Sequence, residues 1–338
     1  MRVLVTGDRG YLGAVVKSAL GEAGHRTYGC DLGWFDLPGP AGGRDFRDLT
    51  EEDLRGVDVV VHLAAVCNDA CGDISATATE EVNHAATVRF AGISREAGVR
   101  SFVFASSCSV YGAAGDVEAD ETFAPVPLTA YGASKLAAER DVLGLAGAGF
   151  STATLRFATL YGYSPSFRSD LMVNRMVATA WRSGRIVMSG TGAALRPMLH
   201  VRDAATAVCA VAEDGAGTSG GRLFNVGRAH ENFRVADIAG LVSAAFPAAA
   251  VEQAGADDAR SYSVSFRRFA EAFPKWKPRF TPADGVAEVA AALAGGRLPQ
   301  LDPAPDAGWG PTDRKEWLLR LLGSGRLDER FRPVGPPR

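Results

Sequence analysis

Short apolar runs alternate with longer amphipathic stretches over the first half of the chain. Val3-Leu4-Val5 is a β-branched run that ends in a glycine cluster, and residues 14–23 follow with helical spacing closed by Gly24. Segments 27–31, 57–63, 102–105 and 153–160 repeat the short-strand pattern, and 57–63 (VDVVVHL) reads as buried on both faces. Helical stretches cover 77–97, stopped by Gly98, and 131–145. Strands separated by helix-length crossovers predict an α/β fold built on a doubly wound parallel sheet.

After Tyr163 the rhythm changes. Helices are expected over 170–182, 203–212 and 235–245, with extended segments at 186–188 and 223–226. Denser glycine and proline predict a smaller C-terminal α/β lobe that grips substrate. The chain divides into 1–165, 166–298 (free to interleave with the first part) and 299–338. The last part is a Pro-rich linker (Pro299, Pro303, Pro305) followed by a tail helix over 315–322. Two readings of that helix stay open, docking on its own domain or contact with a second subunit. No internal repeat of solenoid length is present.

Composition narrows the class. A chain of 338 residues, 47% hydrophobic and 22% charged, can bury a core without disulfide or metal staples. Lys+Arg 36 against Asp+Glu 39 leaves −3 with no long run of either sign, which argues against a nucleic-acid binder or a polybasic membrane anchor. No apolar run is long enough to span a bilayer, and the opening residues pass into the first strand without an apolar leader. The five cysteines are scattered, and Cys67-x3-Cys71 has no second pair, so no metal is expected and the thiols read as reduced. A soluble, cytoplasmic protein is the expectation.

Thr6-Gly7-Asp8-Arg9-Gly10-Tyr11-Leu12-Gly13 follows a strand and opens a helix. Gly7 permits a tight turn, Gly10 lets backbone N–H groups approach a pyrophosphate, and Gly13 lets helix and sheet close-pack. The helix N-terminus, Tyr11 and Leu12 included, offers unpaired N–H donors to phosphates. Asp31 ends the second strand, 18 residues past Gly13. A carboxylate there accepts from both ribose hydroxyls and repels a 2′-phosphate, which favours NAD over NADP. Asp48-Leu49 precedes the third strand and reads equally as a helix cap or as an adenine contact.

Tyr131 and Lys135 stand four apart, on one face of a helix. An ammonium beside a phenol stabilises its phenolate, which a phenol needs to act as a base near pH 7. The segment Ser106-Ser107-Cys108-Ser109-Val110-Tyr111-Gly112 directly follows the fourth strand, where ligands of doubly wound sheets bind.

Taken in order, the glycine turn, Asp31, His62-Leu63-Ala64-Ala65, Asn83, SSxSVYG and Y-x3-K resemble an extended short-chain dehydrogenase/reductase of the nucleotide-sugar epimerase/dehydratase branch. The resemblance covers residues 1–293. It implies a Rossmann domain that holds NAD permanently and a C-terminal lobe that binds a nucleoside-diphosphate sugar. Tyr131 is then the acid/base, Lys135 lowers its pKa and binds the nicotinamide ribose, and Ser107 is the catalytic hydroxyl. Leu63, Ala64, Ala65 and Asn83 line the cofactor, and Asp48 and Leu49 become the adenine contact. Arg196 in R-x3-H-V-x-D and Arg260 match arginines that reach the sugar-nucleotide diphosphate, as bidentate guanidinium groups can. Asn174 and the loop residues Asn68 and Asp69 are further substrate candidates. The resemblance also implies a homodimer.

Three positions depart from the pattern. Dehydratases of this branch carry Asp-Glu directly after the catalytic hydroxyl, where this chain has Cys108 and Ser109, neither able to protonate a leaving hydroxyl. Cys108 is therefore read as a substrate neighbour only. Thr159 stands where a phosphate-binding Asn is expected. The expectation is an NAD-dependent nucleoside-diphosphate-sugar epimerase acting at C4. An atypical dehydratase or a ketoreductase is the alternative, and a non-catalytic NAD-binding scaffold is the reading from another class.

Overall fold

Six short segments form one parallel sheet: β1 (Arg2–Thr6), β2 (Arg26–Cys30), β3 (Val59–His62), β4 (Ser101–Ser107), β5 (Ser151–Phe157) and β6 (Arg222–Val226), in the order β6-β5-β4-β3-β1-β2. The computed structural model describes residues 1–36, 43–215, 220–229, 231–255, 260–298, 301, 304 and 308–335. Pro299, Pro303 and Pro305 of the expected linker lie outside these residues. The chain leaves β1 to one side for β2, then crosses to the other side for β3, so the winding reverses beside β1. Registers of Thr6 with Cys30 and with His62, and of Ser107 with Phe157, bring the carboxyl ends to one edge of the sheet. That edge is where a doubly wound sheet opens a crevice.

Helices α1 (Tyr11–Glu22), α2 (Ala130–Leu143) and α3 (Val201–Asp214) are among those packed on the sheet. The expected cut at 165/166 is therefore not clean, because β6 and α3 come from the second part of the chain and complete the first. A parallel strand needs a covering crossover helix, and the sheet takes both from beyond residue 200. The second lobe is built from small sheets and helices, with its own apolar core around Phe167, Met176, Ile186, Met198, Ile238 and Val289.

Two expected elements are corrected and one unexpected strand is found. The strand read over 153–160 is two: β5 ends at Phe157, and Thr159–Tyr161 joins Leu195–His200 in the second lobe. The helix read over 77–97 is interrupted by a π-helical turn at Glu81–Ala85, which carries Asn83. The segment Ala113–Ala119 (AAGDVEA), which no periodicity marks, pairs with Ser261–Val264. The tail helix α4 (Arg314–Gly323) docks on its own chain, burying Leu318 and Leu321 in the core that holds Phe46, Phe90 and Phe102.

His62 ends β3 completely buried, against the rings of Phe46, Phe90, Phe102 and Phe104. Its Nδ1 lies 2.7 Å from Thr6 Oγ1 and its Nε2 3.0 Å from Thr87 Oγ1. Burial, then the Lys135 charge, push its pKa down from 6.5 to about 3. Between those values the unfolded chain binds a proton that the folded one refuses. The His62 contribution is therefore full above about pH 6.5 and is lost as pH falls toward 3, by at most roughly 1.4 kcal/mol per pH unit. We expect the urea midpoint to drop across this window less steeply for His62→Gln than for the wild-type chain; parallel curves would refute the account.

Candidate active site

The carboxyl ends of β1 to β5 open onto a cavity of about 570 Å³ that reaches between the two halves of the chain. Its floor is the turn after β1. Gly7 has φ +74°, and a Cβ there would stand 2.8 Å from the backbone nitrogen of Ala64; a Cβ on Gly13 would stand 1.9 Å from the Gly7 carbonyl oxygen. Any larger residue at Gly13 would push α1 off the sheet. α1 starts at Tyr11 with Gly10 as its N-cap, and no side chain caps it. Its first N–H groups, beside the cavity-lining Gly10, Tyr11 and Leu12, form a seat for an anion.

Asp31 lines the cavity at the end of β2 and accepts from the N–H groups of Arg9 at 3.1 Å and Gly33 at 2.7 Å. Burial pushes its pKa up, and these two bonds pull it back. Each oxygen keeps acceptor capacity for a diol. Leu63, Ala64 and Ala65 supply the apolar wall after β3. An uncapped helix end, close-packed glycines and a diol-facing carboxylate fit a dinucleotide.

At the other end, Thr129 caps α2 by accepting from the Gly132 N–H at 3.1 Å, which sets Tyr131 and Lys135 into the cavity one turn apart. Lys135 Nζ donates to the Ala105 carbonyl at 2.9 Å and lies 5.9 Å from the Tyr131 ring centre. The Ser107 side chain is close enough to the Tyr131 hydroxyl to favour its ionised form, and its Oγ accepts from the Ser109 N–H at 3.2 Å. Burial lowers the Lys135 pKa to about 8. It raises that of Tyr131, an effect opposed by the Arg168 charge and the Ser107 side chain. The three predicted catalytic residues thus meet at one place.

The residues predicted to meet a substrate also assemble. Asn68 takes a left-handed φ of +70°, tolerated by Asn; its Oδ1 accepts from the Cys71 N–H at 2.8 Å and its Nδ2 donates to Asp170 at 2.7 Å. Asp69 is paired with Arg260 and accepts from Thr129. Arg196 lies over the Tyr262 ring at 5.4 Å. Asn68, Asp69, Arg196, Arg260 and Thr159 all line the cavity.

Five predicted residues do not. Asp48 points outward to Arg332 at 2.9 Å, and Leu49 is buried in the core. Asp45 and Phe46, three residues earlier in Asp-Phe-Arg-Asp, line the cavity instead. Asn83 is fully buried and clamps the loop after β3, accepting from the Val66 N–H at 2.8 Å and donating to its carbonyl at 2.9 Å. Cys108 turns into the core with its Sγ 3.4 Å from the Arg156 carbonyl, while Ser109 takes the place in the cavity. Asn174 is fully buried and bonded to Gly162, Arg168 and Tyr11. Its carboxamide joins loops behind the wall.

Sequence reasoning also missed Arg168 and Asp170, which pair at 2.7 Å, and Arg314 from the tail; all three line the cavity. Isolated charges in loops carry no periodic signal that could have marked them. Among the described residues no group of three or more His, Cys, Asp or Glu could hold a metal ion, and no helix is long and apolar enough to cross a membrane.

Known proteins share this arrangement. The UDP-glucose 4-epimerase of Corynebacterium glutamicum is 30% identical over 253 residues, 67% of this chain and 75% of that protein. That of Azospirillum brasilense is 31% identical over 237 residues, 61% of this chain and 66% of that one. The solved structure of MoeE5 in complex with UDP-glucose and NAD is 27% identical, with a TM-score of 0.78 over 88% of this chain and 100% of that one. Residues 3–227 match the NAD dependent epimerase/dehydratase family, whose cofactor is NAD. That match begins in β1 and ends one residue past β6, so it spans the whole sheet that carries the cavity, and on it the chain belongs to the NAD dependent epimerase/dehydratase family.

Proposed function

We propose that this enzyme is a nucleoside-diphosphate-sugar epimerase acting at C4. The observation that carries the reading is the convergence of Ser107, Tyr131 and Lys135 at the end of a cavity whose other wall presents Arg196 and Arg260. Gly7, Gly10, Tyr11, Leu12, Gly13 and Asp31 would hold the cofactor, with Asp45 and Phe46 at its adenine end. NAD, when bound, supplies the acceptance and return of a hydride.

In this reading Tyr131, with Ser107 beside it, takes the proton of the C4 hydroxyl. The buried Lys135 ammonium stabilises the phenolate. Arg196 and Arg260 hold the diphosphate while the flat 4-keto sugar turns over and is reduced on its other face. Tyr131 then returns the proton, so the cycle is redox-neutral. A dehydratase of the usual kind needs a carboxylic acid next to Ser107, and the side chains there are a buried thiol and a hydroxyl. The epimerase names among the relatives agree with the reading.

The test is to incubate the purified protein in heavy water with UDP-, dTDP-, GDP-, ADP- and CDP-sugars, adding no cofactor. Mass spectrometry and proton NMR should show an isomer of unchanged mass with no deuterium on carbon. Loss of water would make the enzyme a dehydratase. Silence until NADH is supplied would make it a ketoreductase.

A further inference from the structure

The C-terminal segment crosses the mouth of the cavity and ties its two sides together. Trp317 Nε1 donates to the Trp34 carbonyl at 2.6 Å, and Arg47 donates to the carbonyls of Arg330 and Phe331 at 2.8 and 2.9 Å, all on the cofactor half. On the second lobe, Ser169 bonds Thr312 at 2.9 Å and Arg175 pairs with Asp313. At the crossing, Arg314 is 2% exposed and lines the cavity. Its hydrogen bonds go to the Pro311 carbonyl at 2.8 Å and to Ser166, Oγ at 2.9 Å and carbonyl oxygen at 3.3 Å, all uncharged. Among the described residues no carboxylate pairs with it. The nearby Asp170 is held by Arg168, and Asp31 is held by two backbone N–H groups. Burial, then the Arg168 charge, push its pKa down to about 10, against a weaker opposing pull from Cys67, Asp170 and Asp31, so a buried cation without a direct ion pair is costly here.

We infer that Arg314 binds the diphosphate of the cofactor, so that the tail completes the cofactor site. The inference rests on the reading of this cavity as an NAD site. Three observations favour the cofactor's diphosphate over that of a nucleotide sugar. The guanidinium stacks on Phe35 at 3.8 Å, four residues past Asp31. It lines the cavity together with Phe35 and Asp31, and the Asp31 charge acts on it after those of Arg168, Cys67 and Asp170. Arg196 and Arg260, the arginines assigned to the sugar nucleotide, sit instead with Tyr262 and Asp69. Arg314 and Arg168 line the same cavity as the uncapped start of α1, so it offers a doubly charged group both guanidinium and backbone N–H donors.

The test is calorimetric titration of the full-length chain, first freed of any resident cofactor, with NAD, ADP-ribose, adenosine and UDP. Arg314→Gln should weaken NAD and ADP-ribose by roughly 10- to 100-fold and leave adenosine and UDP within about threefold. Arg314→Lys, which keeps the charge, should recover most of the loss, and it serves as the probe if the Gln variant does not fold. Equal loss for adenosine and NAD would show a merely structural role and overturn the assignment. So would a loss confined to UDP, or NAD binding unchanged in the Gln variant. Failure of the wild-type chain to bind NAD would overturn the functional reading along with it.

Discussion

Tyr131→Phe is expected to lower kcat by about 10³-fold or more while the protein keeps its NAD. The substitution removes one hydroxyl, the one beside Ser107, and leaves the ring in place. General acid–base catalysis contributes roughly 10² to 10⁴ in rate, and this hydroxyl would act in both halves of the cycle. The glycine turn and Asp31 lie at the far end of the cavity from it, so cofactor binding should not change. Stopped turnover with NAD retained, measured by chromatography of the heat-released cofactor, is the expected pair of results. Normal turnover would remove Tyr131 from the mechanism.

The pH dependence separates Lys135 from Tyr131. Burial raises the Tyr131 pKa and lowers that of Lys135 to about 8, so each ion is costly alone; an ammonium and a phenolate held one helical turn apart would favour each other. The phenolate fraction grows as pH rises, while the ammonium is lost as pH climbs through about 8 in the absence of the phenolate. Without the ammonium, Tyr131 must ionise unaided. Lys135→Met should therefore move the acid limb of the rate profile to higher pH by at least about one unit, on top of lowering the rate. An acid limb that stays in place would show that Lys135 serves only to bind.

Glu139→Ala is expected to cost roughly 3–5 kcal/mol of stability. Glu139 lies on the second half of α2 and pairs with Arg156 on β5 at 2.6 Å, both side chains 3% exposed. The same carboxylate accepts from Ser106 on β4, and Arg156 also donates to the Tyr111 hydroxyl at 2.9 Å. Removing the carboxylate leaves a buried guanidinium uncompensated directly beneath the catalytic residues. A double variant, Glu139→Leu with Arg156→Met, should recover much of the loss, because two apolar side chains of similar volume carry no desolvation cost. Urea denaturation of the three chains measures both numbers. A single variant as stable as the wild type would mean that water reaches Arg156.

The sequence by itself determined what depends on neighbours along the chain. Strand and helix periods, the glycine turn and the i, i+4 pairing of Tyr131 with Lys135 are local, so the parallel sheet, the anion seat and the catalytic end were all legible. Side-chain direction at the end of a strand is local in principle, but which of two adjacent residues faces a cavity depends on what packs behind it. That is why Cys108 went to the core and Ser109 to the cavity, and why Asp45 rather than Asp48 lines the cavity. Asn83 and Asn174 were read as ligand contacts because a carboxamide can serve either role; only the surrounding loops show that all their bonds are already made. The place of Arg314 was decided by tertiary structure alone. It lies in a tail with no motif, and nothing short of folding brings residue 314 to within 4 Å of the ring that follows Asp31.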